Sequence, residues 1–305
     1  MPSRQQSEKM IESKNKVRYN QGITVSREDG ELMLDMNFLV KNGVDVEKSL
    51  ELFGTIETYN DTVGEFILGV NNKIPKLEEY KNAKDMNNYA IYVHSLKSDA
   101  KYFGFTKLAE LAYDQEMKSK AGDVYYIYEH YDELMNEVQR MTHVVKQYLG
   151  QEPVAPPTTS TPTPNTLENL STAEVYTEAT ILVVDDSNIV RNFVSRIFKD
   201  EYKVGIAKDG QEAIDLIEAN KTSNQIKAIL LDLNMPNVDG FAVLEYMKEN
   251  RLFTTIPVSI ISGDSTKETI DKAFTYQIVD MVKKPFNDTD IKRVVEKTIY
   301  FKEMN

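Results

Sequence analysis

Residues 181–186 read ILVVDD, 228–236 AILLDLNMP, 258–263 VSIISG and 278–285 IVDMVKKP. Each is a short apolar run, rich in β-branched residues, that closes on a polar signal: Asp185-Asp186, Asp232, Ser262 and Lys284-Pro285. Such runs suit strands buried on both faces of a parallel sheet. In an open α/β sheet the polar residues that end the strands gather along one edge, where ligands bind. The pattern predicts an acidic metal pocket at the C-terminal strand ends, with one carboxylate free to accept a phosphoryl group.

Composition narrows the alternatives. The 305 residues leave room for two domains, and 41% hydrophobic content is enough to bury real cores. A formal net charge of -12 argues against a nucleic-acid binder, which needs a concentrated basic patch. The positive charges between Arg4 and Arg27 read as a solvated tail. The chain has no cysteine, so disulfides, thiolate metal sites and a cysteine nucleophile are excluded. The first twenty residues lack the apolar core of a signal peptide, and no later run approaches the ~18 apolar residues that span a bilayer. The expectation is a cytoplasmic protein with no membrane insertion.

A composition break divides the chain. Residues 1–32 carry no sustained periodicity and are expected to be disordered. Residues 33–150 read as helices, 151–177 as a Pro/Thr-rich linker, and 178–305 as alternating strands and helices. Helical patterns cover 46–59, 60–80, 86–103, 106–120 and 124–149, with Asp85, Thr106 and Asp123 near the N-caps. The economical architecture is an antiparallel helical bundle, with Tyr125, Tyr126, Tyr128 and Tyr131 as packing residues.

One helix carries a candidate reactive residue. At about 100° per residue, Val93, Leu96, Ala100 and Phe103 form one stripe, and His94, Lys97, Ser98 and Lys101 cluster on another face. His94 is expected to be exposed, with a lysine one turn on and a small residue four positions on. A neutral imidazole nitrogen can attack phosphorus, nearby ammonium groups stabilise the arriving charge, and a small neighbour lets a partner's pocket approach. His130 borders the apolar row Ile127, Tyr131, Leu134 and Val138 and reads as a packing residue. His143 is followed at the fourth position by bulky Gln147, which would obstruct docking.

The run H-x-L-K-S from His94 to Ser98, followed by Gly104, Leu108 and Leu111, resembles the histidine phosphotransfer (HPt) domain over residues 44–149. The resemblance implies a helical bundle whose histidine carries phosphate between aspartates, with His94 as the phosphohistidine and Lys97 beside it. Ser98 stands where that family most often has glycine.

Residues 180–303 resemble the receiver domain of the response-regulator family. The matching residues are Asp185-Asp186, the D-x-x-M-P-x-x-D-G run from Asp232 to Gly240, Ser262-Gly263 and Lys284-Pro285-Phe286. Ser262 lies 30 positions after Asp232 and Lys284 lies 52 after it, the spacing that family requires. The resemblance implies a five-stranded parallel doubly wound fold. Converging acids repel one another unless a cation sits among them, and magnesium, hard and oxygen-seeking, suits such a site. By resemblance, Asp186, Asp232 and the backbone carbonyl of Asn234 ligate Mg2+, with Asp185 acting through water. Asp232 is then the phosphoacceptor, and Lys284 pairs with the incoming oxygens and the carboxylate. A cis Lys284-Pro285 bond is part of the same resemblance. Ser262 is the switch hydroxyl, Met281 holds the place of the family's usual aromatic switch residue, and Asp264 would tune water access.

No nucleotide-binding motif appears, so an ATP-dependent kinase is not expected. No DNA-binding output domain is expected after the last receiver helix. The combined reading is a two-domain phosphorelay protein: Asp232 takes phosphate from a sensor histidine kinase or other phosphohistidine donor by self-catalysed transfer. His94 exchanges phosphate with an aspartate of this receiver or of another, and the signal passes to a downstream effector protein. The alternative is a non-enzymatic adaptor in which the bundle serves only for interaction.

Overall fold

The computed structural model describes residues 36–151, 174–263 and 266–304. The expected tail over 1–32, most of the Pro/Thr-rich segment and Asp264 lie outside the described residues. Among those described, six helices precede the first strand: α1 (Met36–Lys41), α2 (Val46–Phe53), α3 (Ile56–Ala83), α4 (Met86–Tyr102), α5 (Thr106–Lys120) and α6 (Val124–Tyr148). Helices α3 to α6 are joined by turns of two or three residues, which makes neighbours antiparallel. Contacts between α3 and α6 close the bundle. Its core is aromatic: Tyr59, Phe66, Tyr89, Phe103 and Phe105 are fully or almost fully buried, and the Phe66 and Phe105 rings meet edge to face at 4.8 Å.

Local chemistry explains the helix ends, and it moves two expected boundaries. Asp45, Asp85 and Asp123 accept hydrogen bonds from the backbone N–H three residues on, as N-caps do. Thr106 is not a cap; it is the first residue of α5, after Phe105. The expected break near Tyr59 falls instead at Gly54, whose φ of 77° ends α2, and Thr55 then caps α3 through the N–H of Thr58. Helix α3 therefore runs unbroken for 28 residues. Gly104 has φ +70°, and a Cβ there would lie 2.2 Å from the Asp45 carbonyl oxygen, so the turn before α5 requires glycine. Of the four clustered tyrosines, Tyr131 packs in the core, whereas Tyr125 and Tyr128 are exposed.

The second part alternates strands and helices: β1 (Thr180–Val184), α7 (Asn188–Phe198), β2 (Lys203–Ala207), α8 (Gly210–Asn220), β3 (Ile226–Leu231), α9 (Gly240–Glu249), β4 (Val258–Ser262), α10 (Lys267–Ala273), β5 (Met281–Lys283) and α11 (Asp288–Met304). All strand pairs are parallel and the order is β2-β1-β3-β4-β5. Central strands β1 and β4 are buried throughout, as their unbroken apolar runs require. Ile181, Val183, Leu230 and Ile261 pack toward α7 and α11, while Leu182, Val184, Ile229, Leu231 and Ile260 pack toward α8 and α9. Tyr176, which composition assigns to the linker, is buried against β2: its backbone N–H donates to Asn220, and its ring fills the space over Gly205.

Candidate functional site

The sheet topology delivers four polar signals to one edge. Asp185 follows β1, Asp232 follows β3, Ser262 ends β4, and Lys284 follows β5. The Asp232 N–H donates to the Val184 carbonyl and the Lys284 N–H to the Ser262 carbonyl, both at 2.8 Å, so the strand ladder itself sets the positions of the acids and the lysine. Lys284 Nζ lies 2.6 Å from Asp232 Oδ2 and 2.5 Å from Asp185 Oδ2. The Lys284-Pro285 bond is cis. Gly240 packs directly under the Asp232 backbone and its N–H donates to the Leu233 carbonyl. Met281 opens β5, half-buried against the core beneath α9.

Charge does not balance within this pocket. Carboxylate oxygens of Asp185, Asp186 and Asp232 all lie within 4.8 Å of one another; among the described residues Lys284 is the ammonium paired with them, and the Arg191 guanidinium donates to the Asp185 backbone carbonyl. Burial pushes the Asp185 carboxyl well above the ordinary range; Lys284 opposes this, and Asp232 and Asp186 reinforce it. Burial would lower Lys284, but Asp185 and Asp232 outweigh it and hold the ammonium charged. Three acids against the Lys284 ammonium and the Arg191 guanidinium still leave surplus negative charge, and the carboxylates offer oxygen-only donors, which fits a hard divalent ion such as magnesium. Asn234 is close by, its N–H donating to Asp232 Oδ1 at 3.3 Å.

His94 departs from expectation. Its helix stripe does pack as read, with Val93, Leu96, Ala100 and Phe103 all fully buried in the bundle. The opposite face, expected in solvent, is covered by the receiver-like half, leaving His94 only 3% exposed and Asp232 1%. His94 Nδ1 lies 2.7 Å from Glu116 Oε1, and Glu116 also pairs with Lys97 at 2.5 Å and Lys120 at 2.7 Å. Lys97 Nζ is 3.3 Å from the same ring nitrogen, but the shorter contact to a carboxylate decides the tautomer. Nδ1 carries the proton and donates it to Glu116, so Nε2 holds the lone pair; Nε2 is buried without a hydrogen-bond partner. Burial alone would raise the Glu116 carboxyl. The hydrogen bond and attraction of the His94 ring, then Lys97 and Lys120, hold it well below the usual carboxylate range.

Glu116 is the candidate-site residue that motif reading misses. Its signal was present: Ala109, Ala112 and Glu116 share the buried stripe of α5, and an acid on an apolar face needs a partner. Of the other histidines, His130 stacks on Tyr126 at 3.9 Å as a packing residue, and His143 is exposed on α6.

Among the described residues, polar bonds and a ring cluster join the halves. Ser95 Oγ donates to Asp186 Oδ2 at 2.5 Å, and Ser187 Oγ donates to Asp99 Oδ1 at 2.8 Å. Asp99 is in turn ion-paired with buried Lys73. Phe53 meets Phe193 edge to face at 5.8 Å, and Tyr102 meets Phe286 likewise at 6.0 Å. Gly263 faces the histidine directly: a Cβ there would lie 2.8 Å from His94 Nε2 and 3.2 Å from Ser98 Oγ. A cleft of about 210 Å³ remains, lined by His94, Lys120 and Asn234 among others.

Strand order, the acidic edge and the buried lysine define a receiver-type α/β fold. Residues 181–296 match the family model described as response regulator receiver domain, so the C-terminal part of the chain is a receiver domain. An NtrX-like response regulator of Rickettsia typhi is 33% identical over 125 residues, which are 39% of this chain and 25% of that protein. The two-component response regulator ORR3 of Oryza sativa is 27% identical over 123 residues, 40% of this chain and 92% of that protein. Among solved structures, the receiver domain of the Francisella response regulator 1452 is 26% identical, covers 42% of this chain and all of that one, and has a TM-score of 0.36. The chain spans about a quarter of the length of the first Rickettsia relatives it matches. Among the described residues no helix is long and apolar enough to cross a membrane.

Proposed function

We propose that this is a phosphorelay protein in which the receiver accepts a phosphoryl group on Asp232 and the bundle, acting as an HPt domain, exchanges it through His94. The observation that carries the reading is the convergence of Lys284, Asp185 and Asp232 within 2.6 Å contacts at one sheet edge, with the buried, unpartnered Nε2 of His94 turned toward the same edge. Asp232 supplies the nucleophilic oxygen. Lys284 pairs with phosphoryl oxygens as charge spreads over them, and the Ser262 hydroxyl, at the end of β4, donates a hydrogen bond to one of them. Asp185, Asp186, Asp232 and the carbonyl of Asn234 would hold Mg2+, which neutralises phosphoryl oxygens when bound. Ser262 and Met281 then form the switch through which the phosphorylated state is read. Lys97 balances the charge that arrives on His94 and, with Lys120, keeps Glu116 ionised as the proton acceptor of the ring.

A sensor histidine kinase or other phosphohistidine protein is the donor class this site fits, and a separate effector protein the recipient of the signal. The test is incubation of the full chain with a labelled phosphohistidine donor and magnesium, comparing wild type, Asp232→Asn and His94→Gln. Wild type should carry both base-labile and base-stable label, His94→Gln base-labile label only, and Asp232→Asn neither. Label insensitive to both substitutions would refute both sites. An adaptor would never show the base-stable fraction.

A further inference from the structure

We infer that the chain is its own exchange partner: His94 and Asp232 of one molecule are docked for direct transfer, and Gly263 is the residue that permits the approach. This rests on the relay reading above and narrows it from any receiver to this one.

The interface is chemically complementary at the reacting centre. Glu116 fixes the ring so that Nε2 is the free nucleophile, and that atom has no partner inside the bundle although it is buried. The backbone at Gly263, next to Ser262, lies directly against it. Any side chain there would place a carbon at 2.8 Å from Nε2, closer than Cβ atoms approach other groups, and would force the histidine away. On the helix the neighbouring small residue is Ser98, so the space that a smaller helix residue would leave is provided from the receiver side.

Around this centre, Ser95 reaches Asp186 and Ser187 reaches Asp99, polar pairs that cross between the halves in opposite senses. The flanking Phe53–Phe193 and Tyr102–Phe286 contacts exclude water from one side. Such matching at polar and apolar contacts together identifies the occupant of each surface as the other half of this chain.

The transfer balances without a further reactant. His94 Nε2 attacks phosphorus, the P–N bond forms as the bond from phosphorus to the Asp232 oxygen breaks, and the carboxylate leaves to Lys284. The Nδ1 proton stays between the now cationic ring and Glu116. The reverse step returns the group to Asp232.

The test uses the full chain, magnesium and labelled acetyl phosphate as the phosphodonor. Base-stable label on His94 is followed against base-labile label on Asp232 in the same sample, across about a hundredfold range of protein concentration. Wild type should transfer at a first-order rate independent of concentration. A mixture of His94→Gln and Asp232→Asn chains should transfer at a rate proportional to concentration. With an effective concentration in the millimolar range, the mixture at ~1 μM should be slower by up to roughly a thousandfold. Gly263→Val should lower the single-chain rate at least about tenfold relative to its own Asp232 label. A wild-type rate that scales with concentration and matches the mixture would overturn the single-chain inference and leave the relay reading intact. Absence of base-stable label in both arrangements, with Asp232 labelled, overturns the role of His94 itself.

Discussion

Replacing Glu116 with glutamine separates what this carboxylate does for stability from what it does for His94. The wild-type carboxylate pairs with Lys97, Lys120 and the imidazole, and it is almost wholly buried. Removing one partner of a buried ion pair costs about 3–5 kcal/mol. Lys120 is 42% exposed and can turn to water, so Lys97, at 6%, carries the penalty and the lower end of that range applies. Once Nε2 bears a phosphoryl group the ring is cationic, and its hydrogen bond to a carboxylate exceeds one to an amide by about 1–2 kcal/mol. That difference corresponds to transfer onto His94 slower by roughly five- to thirtyfold. Urea unfolding followed by tyrosine emission, in a chain with 17 Tyr and no Trp, reads the stability; base-stable label reads the transfer.

The pH dependence of this variant has a defined sign. The folded-state carboxyl lies below its ordinary 4.5, so its stabilisation is present above that value and is lost as pH falls toward the folded value. The gap between wild type and Glu116→Gln should narrow on acidification below about 4.5. A variant with wild-type midpoint and wild-type transfer rate, or a stability gap that stays constant down through acid pH, would refute the reasoning.

Three further substitutions probe other parts of the structure. Gly240→Ala would put a Cβ 2.1 Å from the Asp232 carbonyl oxygen, so the loop bearing Asp232 must shift, and thermal melting should show a loss of about 1–3 kcal/mol; an unchanged midpoint would contradict the packing. Asp99→Ala strands Lys73 in the interior and should cost about 3–5 kcal/mol in urea unfolding, whereas the double variant Asp99→Leu with Lys73→Met should recover most of it; a silent single variant would contradict the ion pair. Asp186→Asn removes one of three acids and should weaken magnesium binding at least about tenfold by equilibrium dialysis, with unchanged affinity placing the ion elsewhere.

The receiver half was legible because its signals are local and additive. Each strand announces itself as an apolar run, and each candidate site residue stands at or immediately after the end of such a run, so the parallel topology alone brings Asp185, Asp232, Ser262 and Lys284 to one edge. The bundle was legible in its stripes and less so in its breaks. Gly54 and Thr55 lie inside a continuous helical periodicity, and only the φ of the glycine and the threonine cap reveal that one helix has ended and another begun. Glu116 was missed for a different reason. Its partner stands 22 residues away on another helix, and a lone acid on an apolar stripe does not name the base it meets.

His94 shows where helical periodicity stops being informative. Placing it opposite the stripe of Val93, Leu96 and Ala100 was correct, and inferring solvent from that placement was not, because a polar face opposite a core is equally the face a second domain covers. Covering it desolvates Ser95, Asp99, Asp186 and Ser187, and their mutual hydrogen bonds replace those lost to water, while Phe53 and Tyr102 add apolar burial against Phe193 and Phe286. The docked state therefore competes with any outside donor for Asp232. Such a donor binds only molecules in which the halves have parted, and its apparent affinity is the intrinsic one reduced by that fraction. Substitutions that weaken docking, such as Phe53→Ala, should then speed labelling of Asp232 from a protein donor while slowing exchange with His94; because Phe53 also packs on Tyr59 and Phe103 inside the bundle, helical melting is followed in parallel, and both effects in a chain whose bundle is still folded at the assay temperature assign them to docking.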